Sequence, residues 1–223
     1  MAVQAPAPPI FDERPRERIV PDAYRFAVLP LAASALAAAL GWSVGALLGV
    51  AAALWVLWFF RNPERVLPGG ERDVVAPADG RVIEAGEVEE KDGAKWQRVA
   101  IFLSVFDVHV NRAPVAGRVE AVQQRSGNYA AAFASEAHRN ARTELMLRTE
   151  SGESVRVVQI VGWVARRIIC HPRAGEWLAR GARYGLIRFG SRTDVYLPLT
   201  AQLCVERGER VRGGNTVIAR LGD

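Results

Sequence analysis

The chain has 223 residues, half of them hydrophobic and 24% charged, which suits one domain of ordinary size plus an accessory segment and excludes two large domains, a disordered chain or a wholly membrane-embedded one. Its 29 basic and 24 acidic residues leave a net charge of +5, too modest to imply a nucleic-acid partner, so none is expected. Cys170 and Cys204 stand far apart without a CxxC pair, and His109, His138 and His171 show no HExxH-like spacing, which excludes a disulfide scaffold and gives no reason to expect a metal.

Residues 1–25, with Pro6, Pro8, Pro9 and Pro15 among mixed charges, read as a flexible or surface-lying leader. From Phe26 to Phe60 there follow 35 residues without a charge, bracketed by Arg25 and Arg61. One bilayer crossing needs about 20 residues, so this run is long for one span and short for two. A turn at Gly41-Trp42-Ser43 would divide it into arms of roughly 15 and 17 residues, and a membrane-associating helical hairpin over 26–60, re-entrant or just spanning, is the expectation. Arginines at both ends and none at the turn put those ends on the cytoplasmic side of the cell membrane. Trp55, Trp58, Phe59 and Phe60 suit an interfacial aromatic belt. A buried hairpin in a soluble protein is the competing reading.

Residues 61–223 have a different texture. Short apolar alternations rich in β-branched residues recur at 81–88, 98–103, 117–123, 154–161, 164–169, 184–189, 194–197 and 216–221, separated by Gly, Pro and Asn/Asp turns. One Ala-rich stretch, 130–139, reads as helix. The expected class is mostly β (α+β), a barrel-sandwich-like domain preceded by the apolar helical hairpin. The passages 75–86 and 208–219 both look like pieces of the barrel-sandwich shape used by biotinyl and lipoyl carriers. Lys91 and Lys95 lack the setting of a modified carrier lysine, so the shape is kept and the carrier chemistry is not.

Near the C-terminus stands Phe189-Gly190-Ser191-Arg192-Thr193-Asp194. A Gly-Ser pair is by itself a common tight turn. A serine hydroxyl can, however, attack the preceding carbonyl where glycine leaves the approach unhindered. The resulting ester, after β-elimination, ends as a broken chain with a pyruvoyl group in place of the serine.

With that motif the sequence resembles the phosphatidylserine decarboxylase proenzymes, of the short type with Phe-Gly-Ser-Arg-x-Asp at the cleavage site. The resemblance extends over nearly the whole chain beyond the leader. It takes in Phe59-Phe60-Arg61-Asn62-Pro63-Glu64-Arg65, Ala76-Pro77-Ala78-Asp79-Gly80, Asp107-Val108-His109-Val110-Asn111-Arg112 and Ser135-Glu136-Ala137-His138-Arg139-Asn140. It implies self-cleavage between Gly190 and Ser191 into a β-chain, 1–190, and an α-chain, 191–223, which stay together as a heterodimer. It further implies a pyruvoyl cofactor derived from Ser191, with no metal, forming a Schiff base with membrane phosphatidylserine and releasing phosphatidylethanolamine. Edge strands of the β domain would favour further dimerisation.

His109 lies two residues after Asp107 in a β-branched segment, so the two side chains should share a strand face. By spacing, His109 is either an acid–base group or a structural histidine bonded to Asp107; the resemblance favours the first. Asp79 sits in an Ala-Asp-Gly turn, where Asp commonly bonds its own loop, and the resemblance makes it the residue that orients the self-cleavage base. Where longer relatives place a second histidine, this chain has Arg112, so either His109 serves both steps or cleavage uses strain and another base. His138 falls in the family's substrate-side loop, or on an exposed helix end. Arg139 and the pair Arg166-Arg167 could hold the lipid phosphate, since guanidinium forks match phosphate oxygens; a solvated edge explains them equally. Two other function classes fit parts of the chain: a membrane-anchored adaptor without catalysis, which leaves the Gly-Ser motif idle, and a pyruvoyl decarboxylase of a soluble amino acid, which leaves the apolar run idle.

Overall fold

The computed structural model describes residues 18–90, 92–163, 167–188 and 190–222. They divide into a helical unit ending at Glu64 and a β unit beginning at Arg65.

The helical unit is a hairpin of α1 (Asp22–Ala39) and α2 (Ser43–Phe59). Helix α1 starts four residues before the uncharged run, at Asp22, whose carboxylate suits a helix N-terminus. Along most of the hairpin the residues turned inward are small, Ala23, Ala27, Ser34, Ala37 and Ala53, while at its base Phe59 and Phe60 are also buried. A β-carbon added to Gly49 would lie 2.6 Å from Ser34 Cβ, and Ser34 Oγ donates to the Ala46 carbonyl at 2.6 Å, so the helix backbones run close together. The large apolar side chains, among them Leu29, Leu36, Leu47, Leu48 and Leu54, point outward and are exposed. Small residues inside and large apolar ones outside is how helices pack in lipid, where burying Leu between helices brings no gain. Neither helix is long and apolar enough to cross a membrane; at 18 and 17 residues each is about 26 Å long against a hydrocarbon core of about 30 Å.

The β unit has 14 strands among the described residues: β1 (Asp73–Val75), β2 (Gly80–Glu89), β3 (Lys95–Leu103), β4 (Val110–Arg112), β5 (Gly117–Arg125), β6 (Arg142–Arg148), β7 (Ser154–Ile160), β8 (Ile168–Cys170), β9 (Trp177–Leu178), β10 (Arg183–Ile187), β11 (Ser191–Leu197), β12 (Gln202–Leu203), β13 (Arg210–Val211) and β14 (Val217–Arg220). They pair into an eight-stranded sheet, β13-β2-β3-β11-β7-β6-β5-β9, and two three-stranded sheets, β1-β14-β12 and β4-β10-β8. The mostly β class with a preceding helical hairpin is therefore as the sequence implies. The two carrier-like passages pair with each other: Val75 lies opposite Val217, and Arg81 opposite Arg210.

The core follows strand alternation. Val99, Ile101 and Leu103 of β3, Val195 and Leu197 of β11, Val155 and Val157 of β7, and Leu145 and Leu147 of β6 all face one interior. Strand β6 is absent from the sequence-based expectation, although Leu145 and Leu147 carry its alternation. The expected helix over 130–139 is not formed. Only a 3-10 turn, Ser135–Arg139, is present, because Asn140 bonds both the N–H and the carbonyl of Ala130 and holds the segment as a loop.

Candidate active site

Strand β11 is paired along both edges, with Ser191 opposite Leu103 of β3 and Arg192 opposite Ile160 of β7. Because Val195 and Leu197 face the core, Ser191 and Thr193 face it too; on β7, Gln159 shares the side of Val155 and Val157. The apolar interior thus ends in a polar group. Ser191, Thr193, Gln159 and Asn111 are all buried, and Gln159 Nε2 donates to Asn111 Oδ1 at 2.7 Å. The hydroxyls of Ser191 and Thr193 have no hydrogen-bond partner among the described residues. An unmatched buried hydroxyl costs about 1–3 kcal/mol, and one retained in a core calls for a functional explanation.

The even-numbered side chains of β11 serve the other face. Arg192 grips Asp194 through two hydrogen bonds, Nε to Oδ1 at 2.6 Å and Nη2 to Oδ2 at 2.8 Å, both residues buried. That forked pair explains the Arg-x-Asp part of the motif as a brace of the strand.

Gly190, just before β11, has φ +60°, a left-handed conformation that side-chain-bearing residues rarely adopt. Its carbonyl oxygen is pressed against Gly162: a β-carbon built there would stand 2.1 Å from it, with the Ala132 methyl 3.2 Å away. Gly162 escapes sequence reasoning because nothing local marks it.

His109 is fully buried and ends the loop 104–109, where its carbonyl accepts from Ile187 N–H at 3.3 Å. Val110 pairs with Leu186, and β10 leads into Gly190, so His109 and Ser191 belong to the same end of the unit. The expected strand through Asp107 is not found. The Asp107 carboxylate accepts from Ser104 N–H at 2.8 Å and Ser104 Oγ at 2.7 Å, closing a turn, and it is the Asp107 backbone carbonyl that meets His109 Nδ1 at 3.0 Å. A carbonyl only accepts, so Nδ1 carries the proton, and whenever the ring is neutral Nε2 is the lone-pair nitrogen.

Asp79 is held elsewhere. Its Oδ2 accepts from Arg65 Nη2 at 2.7 Å and its Oδ1 from Gly213 N–H at 2.8 Å. Arg112 is close to both: burial, then the charges of Arg183 and Arg65, push its guanidinium down to about 10, with Asp79 pulling the other way. Arg112 Nη1 donates to the Gly181 carbonyl at 3.1 Å. Asp79 thus belongs to a half-buried arginine cluster, and Arg112, still charged at neutral pH, offers no base.

Of the substrate-side candidates, His138 and Arg139 are exposed on the 3-10 turn, and Arg166 lies outside the described residues. Close to His138, whose carbonyl accepts from Arg142 Nη1 at 3.1 Å, is a cleft of about 300 Å³ lined by Arg125, Tyr129, Arg142, Val161 and Arg167. Glu144 braces Arg125 at 3.0 Å and Arg142 at 2.8 Å. Arg125 and Arg142 were not legible as partners of Arg167, since they come together only through the β5–β6 pairing, in which they are directly opposite.

The family model for phosphatidylserine decarboxylase matches residues 52–219. Among curated relatives, the phosphatidylserine decarboxylase proenzyme of Symbiobacterium thermophilum is 46% identical over 209 residues, covering 92% of this chain and 97% of its own. That of Geotalea daltonii is 43% identical over 187 residues (83% and 88%), and that of Granulibacter bethesdensis 48% over 181 residues (78% and 74%). With the matched span running through the buried Ser191, the polar end of the core and His109, the chain belongs to the phosphatidylserine decarboxylase family of enzymes.

Proposed function

We propose that the chain is a proenzyme that cuts itself between Gly190 and Ser191 and then converts phosphatidylserine to phosphatidylethanolamine at the cytoplasmic face of the cell membrane. The observation that carries this reading is the junction at residue 190. A glycine in left-handed conformation, its carbonyl seated on Gly162, immediately precedes a buried serine hydroxyl with no hydrogen-bond partner among the described residues.

In the self-cleavage, Ser191 Oγ gives up its proton and bonds the Gly190 carbonyl carbon while the Gly190–Ser191 C–N bond breaks, leaving an ester and a free amine. Loss of the Ser191 Cα proton then breaks the Cβ–O bond and frees the Gly190 carboxylate. Water replaces the nitrogen, released as ammonia, and residue 191 becomes the ketone. A pyruvoyl group there supplies an electrophile for the substrate amine and a sink for the electrons left by CO2. His109 Nε2, held by the Nδ1–H bond to the Asp107 carbonyl, is the atom assigned to take a proton and return one to the carbon that loses CO2. Arg125, Arg142 and Arg167 form the phosphate-binding wall.

The membrane part of the proposal is supported by the outward-facing leucines of α1 and α2. Their length favours a hairpin lying within one leaflet and the interface. The name proenzyme carried by the relatives supports two chains made from one.

The test is intact-mass analysis of the purified protein with CO2 release from phosphatidylserine in the same sample. Two chains parted at Gly190–Ser191, the smaller with a ketone in place of its amine, are expected. One full-length chain with an ordinary Ser191 in an active sample overturns the proposal.

A further inference from the structure

In the β unit, the exposed aromatic side chains gather at one end. Among its described residues, Trp163 is 76% exposed, Phe106 and Phe133 66% each, and Tyr129 45%. Trp96, Phe102, Trp177, Tyr184 and Tyr196 are buried or half-buried. All four exposed rings stand on loops around Gly190. Trp163 follows Gly162, whose Cα lies against the Gly190 carbonyl; Phe133 follows Ala132, which touches that same spot, and its ring meets Phe102 edge-on at 5.6 Å. Phe106 is in the loop leaving β3 at Leu103, the partner of Ser191. Tyr129 borders the arginine cleft together with Val161.

We propose that this aromatic rim is a membrane-contact surface of the β unit in its own right, seating the open end of the site in the interfacial layer of an anionic bilayer. The inference rests on the lipid-decarboxylase reading above. Ser191 is wholly buried, whereas a diacyl substrate must leave its chains in the bilayer, so the headgroup has to pass from the lipid surface into this end of the unit. A rim that sinks into the interface makes that passage short and free of bulk water. Trp and Tyr rings prefer that layer, and a large exposed aromatic group elsewhere on a surface brings only a solubility penalty. The charge is complementary too, with three guanidiniums in the adjoining cleft against one bracing carboxylate, Glu144. A bilayer is thus the occupant that fits both the rings and the arginines.

The experiment uses the full chain carrying Phe133→Ser and Trp163→Ser. CO2 release is measured on long-chain phosphatidylserine in vesicles and on a short-chain form dispersed as monomers. The vesicle rate should fall by about tenfold or more while the monomer rate stays within about twofold, with the cut fraction unchanged. Equal rates on vesicles, or equal loss on both substrates, overturns the rim. A second reading is quenching of tryptophan fluorescence by brominated lipids, which should weaken in Trp163→Phe relative to the unaltered chain; identical quenching also overturns it. Should the double variant instead shift a dimer to monomer with vesicle activity intact, the rim is an interface between copies and the proposal fails. An unaltered chain that releases no CO2 from either form of the lipid overturns the decarboxylase reading alone, since the quenching experiment still decides the rim.

Discussion

The carbonyl oxygen of Gly190 occupies the space that a β-carbon on Gly162 would need, the two being 2.1 Å apart if that carbon is built. The bond proposed to break is therefore positioned partly by a missing side chain on another strand end.

Gly162→Ala should slow self-cleavage. The added methyl must displace the Gly190 carbonyl from its seat, and a loss of about tenfold in rate corresponds to only about 1.4 kcal/mol of misalignment. Gly117→Ala is the control, because its methyl also meets a carbonyl, that of Arg148 at 2.7 Å, far along β5. A mass-spectrometric time course of the cut fraction should separate the two variants. Equal rates would show that the Gly162 contact is only packing.

Ser191→Ala should abolish both cleavage and decarboxylation, as alanine has no hydroxyl to attack and yields no ketone. His109→Ala should retain the fold and lose turnover per pyruvoyl by about 10²–10⁴, the usual worth of a positioned acid–base group. The measurement is CO2 release divided by ketone content in the same sample. Undiminished turnover per ketone would make His109 structural.

Asp79→Ala should act first on stability. It removes the carboxylate that pairs with the half-buried Arg65 and offsets the charge of Arg112, a loss of about 1–3 kcal/mol for a charge-assisted hydrogen bond, visible as a lower melting temperature. Incubating the variant well below its melting point distinguishes the roles. If the cut fraction then reaches its normal value, Asp79 holds the cluster and does not orient the base.

Arg167→Ala should raise KM for phosphatidylserine by about tenfold or more with kcat little changed, since a charged hydrogen bond to phosphate contributes about 1.5–3 kcal/mol. The Arg139→Ala change, on the exposed 3-10 turn, should do much less. Initial-rate kinetics at two salt concentrations would show it, and a kcat effect without a KM effect would remove Arg167 from the phosphate wall.

The two cysteines should differ in reactivity. Burial pushes the Cys170 thiol up to about 12, so at pH 8 roughly one part in ten thousand is thiolate, whereas Cys204 is exposed. An alkylating agent should modify the native protein at Cys204 alone and the unfolded protein at both. As pH rises towards 12 Cys170 should begin to react, provided the fold holds. Equal labelling at pH 8 would contradict this placement.

What the sequence made legible was whatever repeats locally. Strands β2, β3, β5 and β7 were readable because short apolar stretches with β-branched residues stand between turn signals, and the hairpin because 35 residues carry no charge. Ser191 stood out through its own neighbours. The segment 130–139 was misread because alanine favours helix while the deciding bonds come from Asn140, outside it. Asp107 was placed on a strand face by spacing, yet Ser104 folds it into a turn. Gly162, Asn111 and Gln159 were silent because their meaning comes from strands distant in sequence.

Strand β11 lies between β3 and β7 and opens at Ser191. A cut before it would leave a fragment of 33 residues sewn into the larger one: β11 by both edges, β13 to β2 and β14 to β1. Eight of the 24 residues in the main core cluster described belong to that fragment, from Val195 to Leu221. The fragment is too short to fold alone, and its partner without it would have a trough through the middle of its sheet. On the proposed cleavage, the Gly190–Ser191 bond would be a temporary tether, needed while the strands find their register and dispensable once they have, and the cut molecule should melt as one body rather than two.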